Sequence, residues 1–227
     1  MAAMITFGLR RRAVAVASVL VAALLPAAAA HSAPSPAPVR GAAPAPGAAP
    51  LAGPFRAAAP ANSCPRVTDH LFAAADLRAE VERITPSPSW RINCKQLYRA
   101  DSRPPEVVFE SGFHPRDTVN GQYDLEQYVL VNQPSPFVST TYDHDLYKTW
   151  WKSGWNYYVD APGGVDVNQT IGDTHKWASQ VEVAFPGGIA RSFIVGVCPV
   201  DKVKKVEIMA ECRDNPYYEP WRNSFPG

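Results

Sequence analysis

All 21 acidic residues and all four cysteines of this 227-residue chain lie beyond residue 62. That asymmetry confines any packed fold to the part that follows. Arg10-Arg11-Arg12 precedes an apolar run from Ala13 to Leu25, and small residues follow at Ala27 to Ala30. The run falls short of the ~20 apolar residues that cross a bilayer. With its basic flank and small-residue exit it reads as a secretory signal over 1–30. Residues 31–62 are rich in Ala and Pro and lack periodicity. Such a segment cannot bury enough apolar surface to offset its ordering entropy, and reads as a disordered linker or pro-segment. The expected product is a secreted, extracellular, monomeric domain over 63–227, with no stable membrane association.

The N-terminal segment also distorts the charge. It holds five arginines (10, 11, 12, 40 and 56), which leaves 17 basic against 21 acidic residues in the domain, a net charge of −4. A protein that holds nucleic acid mainly by neutralising phosphates is not built this way. Four cysteines in an exported chain read as two disulfides. Of three possible pairings, proximity favours Cys64–Cys94 and Cys198–Cys212. A four-cysteine metal site would need Cys-x2-Cys spacing, which is absent. His114, His144 and His175 do not cluster at ligand spacing, and Asp143-His144-Asp145 reads as the acidic start of a helix, so no metal is expected.

The domain predicts an α+β fold with a mainly antiparallel β-sandwich core. Thr68 to Ile84 carries apolar residues near helical spacing and predicts an N-terminal helix. Short helices are expected at Pro105–Ser111 and Asp143–Lys152. Strands are expected at Lys95–Ala100, Phe137–Thr141, Trp155–Val159 and Gln180–Phe185, the last forming a hairpin with Arg191–Val197 after the turn Pro186-Gly187-Gly188. Neither a P-loop nor Gly-x-Gly-x-x-Gly occurs, so a dinucleotide would be bound by other means.

Three segments carry chemistry. On a strand over 180–185, Val181, Val183 and Phe185 would face the core, and Gln180 and Glu182 would share the other face ~7 Å apart. Taken alone, that is an ordinary solvated strand face. Arg99 offers a fixed fork of donors suited to a phosphate, or an ion pair with Asp101. Ser139-Thr140-Thr141 supplies hydroxyls, or merely strand propensity.

Tyr98-Arg99-Ala100-Asp101-Ser102-Arg103-Pro104-Pro105-Glu106-Val107-Val108-Phe109 resembles the opening motif of the pertussis-toxin-type mono-ADP-ribosyltransferases. Pro134 to Asp143, Tyr157 to Gly164 and Gln180 to Gly188 are more similar still to the Scabin-like, pierisin-like group of secreted toxins, which modify guanine in DNA. The resemblance spans roughly 64–222. It implies the ADP-ribosyltransferase fold, with NAD+ as substrate. By that resemblance Arg99 contacts an NAD+ phosphate, Ala100 the nicotinamide amide through its backbone, and Ser139 orients the catalytic Glu182. Thr141 stands where the family commonly has Ser. Gln180 chooses the acceptor. Trp150 and Trp177 lie where substrate loops are expected, as stacking surfaces or as core. Lys152 is placed to meet a phosphate, and Asn132 fits loop architecture or a substrate contact. The expected reaction is transfer of ADP-ribose to the exocyclic amine of guanine in DNA or nucleotides, with side hydrolysis of NAD+. Transfer to a protein side chain, or a catalytically silent binding module on the same fold, are the alternatives.

Overall fold

Short runs of β-branched and aromatic residues, broken by Pro and Gly, favour strands joined by turns over long helices. The computed structural model describes Cys64 and residues 66–224, so the signal and linker assigned to 1–62 lie outside the described residues. The elements are β1 (Leu97–Asp101), α1 (Pro105–Ser111), α2 (Leu125–Val131), β2 (Phe137–Thr141), β3 (Trp155–Val159), β4 (Val165–Asp166), α3 (Val167–Ile171), β5 (Glu182–Pro186), β6 (Ile194–Asp201), β7 (Val206–Glu207) and β8 (Arg213–Asp214). All named strand pairs are antiparallel, in the order β4-β5-β2-β1-β3-β6-β7, with β8 also on β6.

The sheet nearly divides at its centre. β1 pairs with β3 at five positions and β2 with β5 at five, yet β1 meets β2 only at Tyr98↔Thr141. Val138, Val183 and Phe185 from one half pack in the same core cluster as Leu97, Tyr157, Val159 and Val197 from the other. The sandwich core expected from the sequence is therefore two halves of one antiparallel sheet around a shared interior. Each fully buried Val or Leu there contributes ~1.5–3 kcal/mol through removal of apolar surface from water. A second cluster, with Leu125, Val129, Val165, Val167 and Ala184, seats α2 and α3 against the β4–β5 side. Both disulfides pair as expected, Cys64 with Cys94 and Cys198 with Cys212.

Several expectations need correction. Thr68 to Ile84 is not a helix; it contains turns and one 3-10 turn, Val81–Arg83. Asp69 and Asp76 each accept a backbone N–H two residues on, and Ala75 and Asp76 donate their N–H groups to the Gly187 carbonyl. Local side-chain bonds and a tertiary partner have replaced the helical ladder. The helix expected over Asp143–Lys152 is instead two short 3-10 turns, His144–Lys148 and Trp151–Ser153, the first capped by Asp143. The expected hairpin between 180–185 and 191–197 is also absent. β6 pairs with β3 and β5 with β2 and β4, because Gly187 and Gly188 at φ 73° and 80° lead into the Phe113↔Ile189 bridge and carry the chain away. Of the three helices expected from the sequence only α1 is an α-helix, and α2 and α3 are not among those expected. Asp124 caps α2 by accepting from Gln127 N–H, and Asp166 caps α3 by accepting from Gln169 N–H. Both carry an Asp-x-x-Gln start signal that marks them.

Candidate active site

The site forms where the sheet halves separate, and Arg99 spans the gap. Its Nε and Nη2 hold Asp101 Oδ2 at 2.9 Å, and Nη1 donates to the Ser139 carbonyl on β2 at 2.6 Å. Nε and Nη1 are hydrogen-bonded, Nη2 is at ion-pair distance from Asp101, and the side chain still lines a cleft where a ligand can reach it. Asp101 is buried and also receives Arg103 at 2.7 Å. Burial alone would raise the Asp101 carboxyl, but hydrogen bonds from Arg103 and the charge of Arg99 hold it at about 2. Both readings of Arg99 thus meet: it is ion-paired, and it stands at the cleft.

Gln180 is not on the strand. It closes the 3-10 turn Ala178–Gln180, and β5 begins only at Glu182. Between them Val181 adopts the left-handed region at φ 41°, rare for a β-branched residue. It is exposed rather than packed in the core. The turn is held by bonds the sequence does not reveal. The Thr141 hydroxyl donates to the Gln180 carbonyl at 2.6 Å, and Gln180 N–H donates to the Trp177 carbonyl at 2.9 Å. The left-handed residue breaks the expected alternation, so Glu182 sits deep and Gln180 at the rim.

Glu182 is only 9% exposed. The Tyr128 hydroxyl on α2 donates to its Oε1 at 3.0 Å. Burial pushes the Glu182 carboxyl up, while hydrogen bonds from Ser139 and Tyr128 and the charge of Arg99 pull it down. Desolvation and the Glu182 charge drive the Tyr128 phenol well above its ordinary value, so it stays a donor.

Two adjoining clefts open here, of about 250 and 190 Å³. Tyr128, Asn132, Trp177 and Glu182 line the first; Tyr98, Arg99, Ala100, Thr140 and Thr141 line the second; Ser139, Trp150 and Gln180 line both. Every residue singled out from the sequence lines one cleft or the other except Lys152, which is exposed beside the Trp151 ring. Trp150 and Trp177 are 46% and 38% exposed, so each presents its indole to the cleft mouth instead of filling a core. Asn132 caps α2 in the left-handed region while accepting Arg116, so its architectural role is real although it borders the cleft. Thr140 and Thr141 donate their hydroxyls to backbone carbonyls of Val183 and Gln180 and act as scaffold. Among the described residues no group of three or more His, Cys, Asp or Glu side chains is placed to hold a metal.

Residues 97–218, which contain every residue lining these two clefts, match the Scabin-like family model. The chain belongs to the Scabin-like family. It is 69% identical over 161 residues to the guanine-specific ADP-ribosyl transferase of Streptomyces coelicolor, covering 71% of this chain and 79% of that protein. It is 40% identical over 112 residues to Pierisin of Pieris brassicae, 44% of this chain but 13% of that protein. The Scabin toxin of Streptomyces scabies in complex with NADH superposes with a TM-score of 0.70 at 70% identity, over 72% of this chain and 99% of that one.

The residue that sequence reading misses in this Scabin-like site is Tyr128, hidden because α2 itself is not among the expected helices. Its hydroxyl lowers the Glu182 carboxyl toward the ionised form. Tyr128→Phe is therefore expected to move the acidic limb of the pH–rate profile of NAD+ cleavage to higher pH, since the ionised carboxylate is the active form. Turnover near neutral pH should fall by about tenfold, the scale of one charge-assisted hydrogen bond. An unmoved acidic limb would deny Tyr128 this role.

Proposed function

We propose that the chain is a mono-ADP-ribosyltransferase that moves ADP-ribose from NAD+ to the exocyclic amine of guanine. The observation that carries this reading is Glu182: a buried carboxylate bonded by Tyr128 and Ser139, near the Arg99 cation, with a neutral Gln180 at the rim. Breaking the nicotinamide–ribose bond expels a neutral leaving group, so no general acid is required. Positive charge grows on the ribose as the bond opens. A carboxylate fixed in a dry cleft stabilises that charge and can accept a hydrogen bond from the ribose 2′-hydroxyl. Arg99 presents its guanidinium to the second cleft for a phosphate oxygen, and Ala100 offers backbone groups beside it. The guanine amine then attacks the anomeric carbon and releases its proton to solvent.

Gln180 has an amide that donates and accepts at once, which suits the edge of a guanine base. Trp177, exposed just before the Gln180 turn, suits stacking on that base. Whether the guanine is offered in DNA or in a free nucleotide belongs to this proposal too, as do the monomeric state and export directed by residues 1–30. The base must be unpaired or flipped out for its amine to reach the anomeric carbon.

Gln180→Ala separates acceptor choice from bond cleavage. Transfer to guanosine nucleotides is expected to drop by about 10²-fold, because an unpaired base edge in the complex costs ~2–3 kcal/mol. Hydrolysis of NAD+ should change by less than about threefold, within the reach of the same principle for a group that does not touch the ribose. Parallel assays of both products on one preparation decide this; equal loss of the two would remove Gln180 from the acceptor role.

A further inference from the structure

The loop between α3 and β5 carries Trp177 and Gln180, and one side chain of α3 holds it. Gly172, at φ 85°, turns the chain out of the helix, and Asp173, Thr174, Lys176, Trp177 and Ser179 are exposed. Asn168 Nδ2 donates to the Ala178 carbonyl at 2.8 Å, and Asn168 Oδ1 lies 3.0 Å from His175 Nε2. The two bonds straddle Trp177. Their direction follows from the carbonyl. The Ala178 oxygen can only accept, so it faces the amide nitrogen; the amide oxygen then faces His175, whose Nε2 must carry the hydrogen. His175 Nδ1 is buried without a hydrogen-bond partner, which agrees with a neutral ring of that tautomer. A proton on Nδ1 would be a buried donor with no acceptor.

The base of this clamp is firm. Val167 is fully buried and Asp166 caps α3, while Thr170 Oγ1 donates to the Asp166 carbonyl at 2.7 Å and accepts Ser89 N–H at 2.9 Å. Its grip reaches the cleft. The Ala178 carbonyl that takes Asn168 also accepts Val181 N–H at 3.1 Å, so both of its lone pairs are used. Val181 is the left-handed residue that sends Gln180 to the rim and Glu182 inward. Thr141 fixes the other side of the same turn through the Gln180 carbonyl. Asn168 lines neither cleft, so it can act on the site only through the loop. Glu182 is held separately: it stands on β5, paired with Thr141 of β2. The loop and the carboxylate therefore have different anchors, and Asn168 belongs to the loop.

We infer that Asn168 is a positioning residue for acceptor choice: its amide clamps His175 and Ala178 so that Trp177 and Gln180 meet the incoming base in one pose. This rests on the guanine-acceptor reading above. The test compares Asn168→Ala and His175→Phe, singly and together, with guanosine monophosphate as acceptor. Asn168→Ala removes both bonds, and KM for guanosine monophosphate should rise by about tenfold, the scale of one to two net hydrogen bonds. Hydrolysis of NAD+ should keep its kcat and KM within about twofold, because the bonds lost do not reach the reacting ribose. His175→Phe keeps the bulk of the ring and removes one bond, so a rise of about threefold is expected. The double variant should match Asn168→Ala. A parental KM in Asn168→Ala would overturn the inference, and additive losses in the double variant would dissolve the shared clamp. Equal loss of transfer and hydrolysis would leave Asn168 a role in the fold alone. Amide hydrogen exchange of the free protein reads the clamp without any acceptor: residues 173–181 should exchange about tenfold faster in Asn168→Ala, and parental exchange there would refute the clamp. If the parent cleaves NAD+ yet labels no guanine, the acceptor reading fails, and the exchange comparison still decides whether Asn168 holds the loop.

Discussion

Glu182→Gln is expected to reduce NAD+ cleavage and ADP-ribose transfer together by about 10³-fold, while the protein becomes slightly more stable at neutral pH. The amide keeps the shape of the side chain and can still meet the Tyr128 hydroxyl, but it removes the charge that answers the growing cation on the ribose. The stability effect follows from the direction of the Glu182 shift. Burial raises this carboxyl in the folded protein above its ordinary value. Its contribution to folding is therefore favourable below the ordinary carboxylate range and is lost as pH rises through the raised value. At neutral pH the folded protein holds a buried charge at a net cost, and a neutral isostere relieves it. Thermal unfolding at pH 5 and pH 7.5, set beside turnover, checks both halves. A variant that loses activity only because it unfolds would show the opposite change in melting temperature.

Arg99→Lys is expected to cost about 2 kcal/mol of stability and about 10²-fold in turnover, although the charge is kept. A single ammonium cannot hold Asp101 Oδ2 through two nitrogens and also reach the Ser139 carbonyl across the sheet gap. β1 and β2 share only the Tyr98↔Thr141 pair, so the Arg99–Ser139 bond is a principal link between the halves beside Glu182. Loosening it should blur the carboxylate's position as well as weaken the phosphate contact. The acid behaviour gives an independent reading. Asp101 has a folded value of about 2, below its ordinary 3.8. A depressed carboxyl stabilises the fold above its ordinary value, and that contribution, roughly 2 kcal/mol, is lost as pH falls from about 4 toward about 2. Arg103 remains in the variant, so part of this acid sensitivity should persist and the drop should be shallower. Urea unfolding at pH 2.5, 4 and 7 measures it. Parental stability and an unchanged acid profile in the Arg99→Lys variant would show that the strut carries little.

Where local signals suffice, the sequence predicts the fold closely. Phe137–Thr141 and Trp155–Val159 are strands with the expected bounds, and α1 begins at Pro105, a residue suited to the first helical turn. Reading fails where distant groups decide the backbone. Thr68 to Ile84 has helical spacing, but the Gly187 carbonyl takes two of its N–H groups. Gln180 and Glu182 read as strand neighbours because nothing in Ala178 to Val181 announces a left-handed residue; Val181 is held there by Thr141 and its neighbours. Tyr128 escapes notice for a simpler reason: the Asp124-x-x-Gln127 start of its helix is a short local signal and the helix itself is only seven residues long. The site residues themselves are legible only through family resemblance, since each segment alone has an ordinary structural explanation. Lys152 is the informative exception. It misses the cleft and lies with Lys205 of the β6–β7 turn beside the Trp151 ring, a grouping that needs the tertiary fold to be seen.

Identification of the covalent product tests the central claim most directly. The purified domain would be incubated with NAD+, guanosine nucleotides and a protein extract in one vessel, and every ADP-ribosylated species located by mass spectrometry. The account predicts ADP-ribose on the exocyclic amine of guanine, nicotinamide released alongside it, and neither product with Glu182→Gln. ADP-ribose on protein side chains with guanine untouched would contradict it.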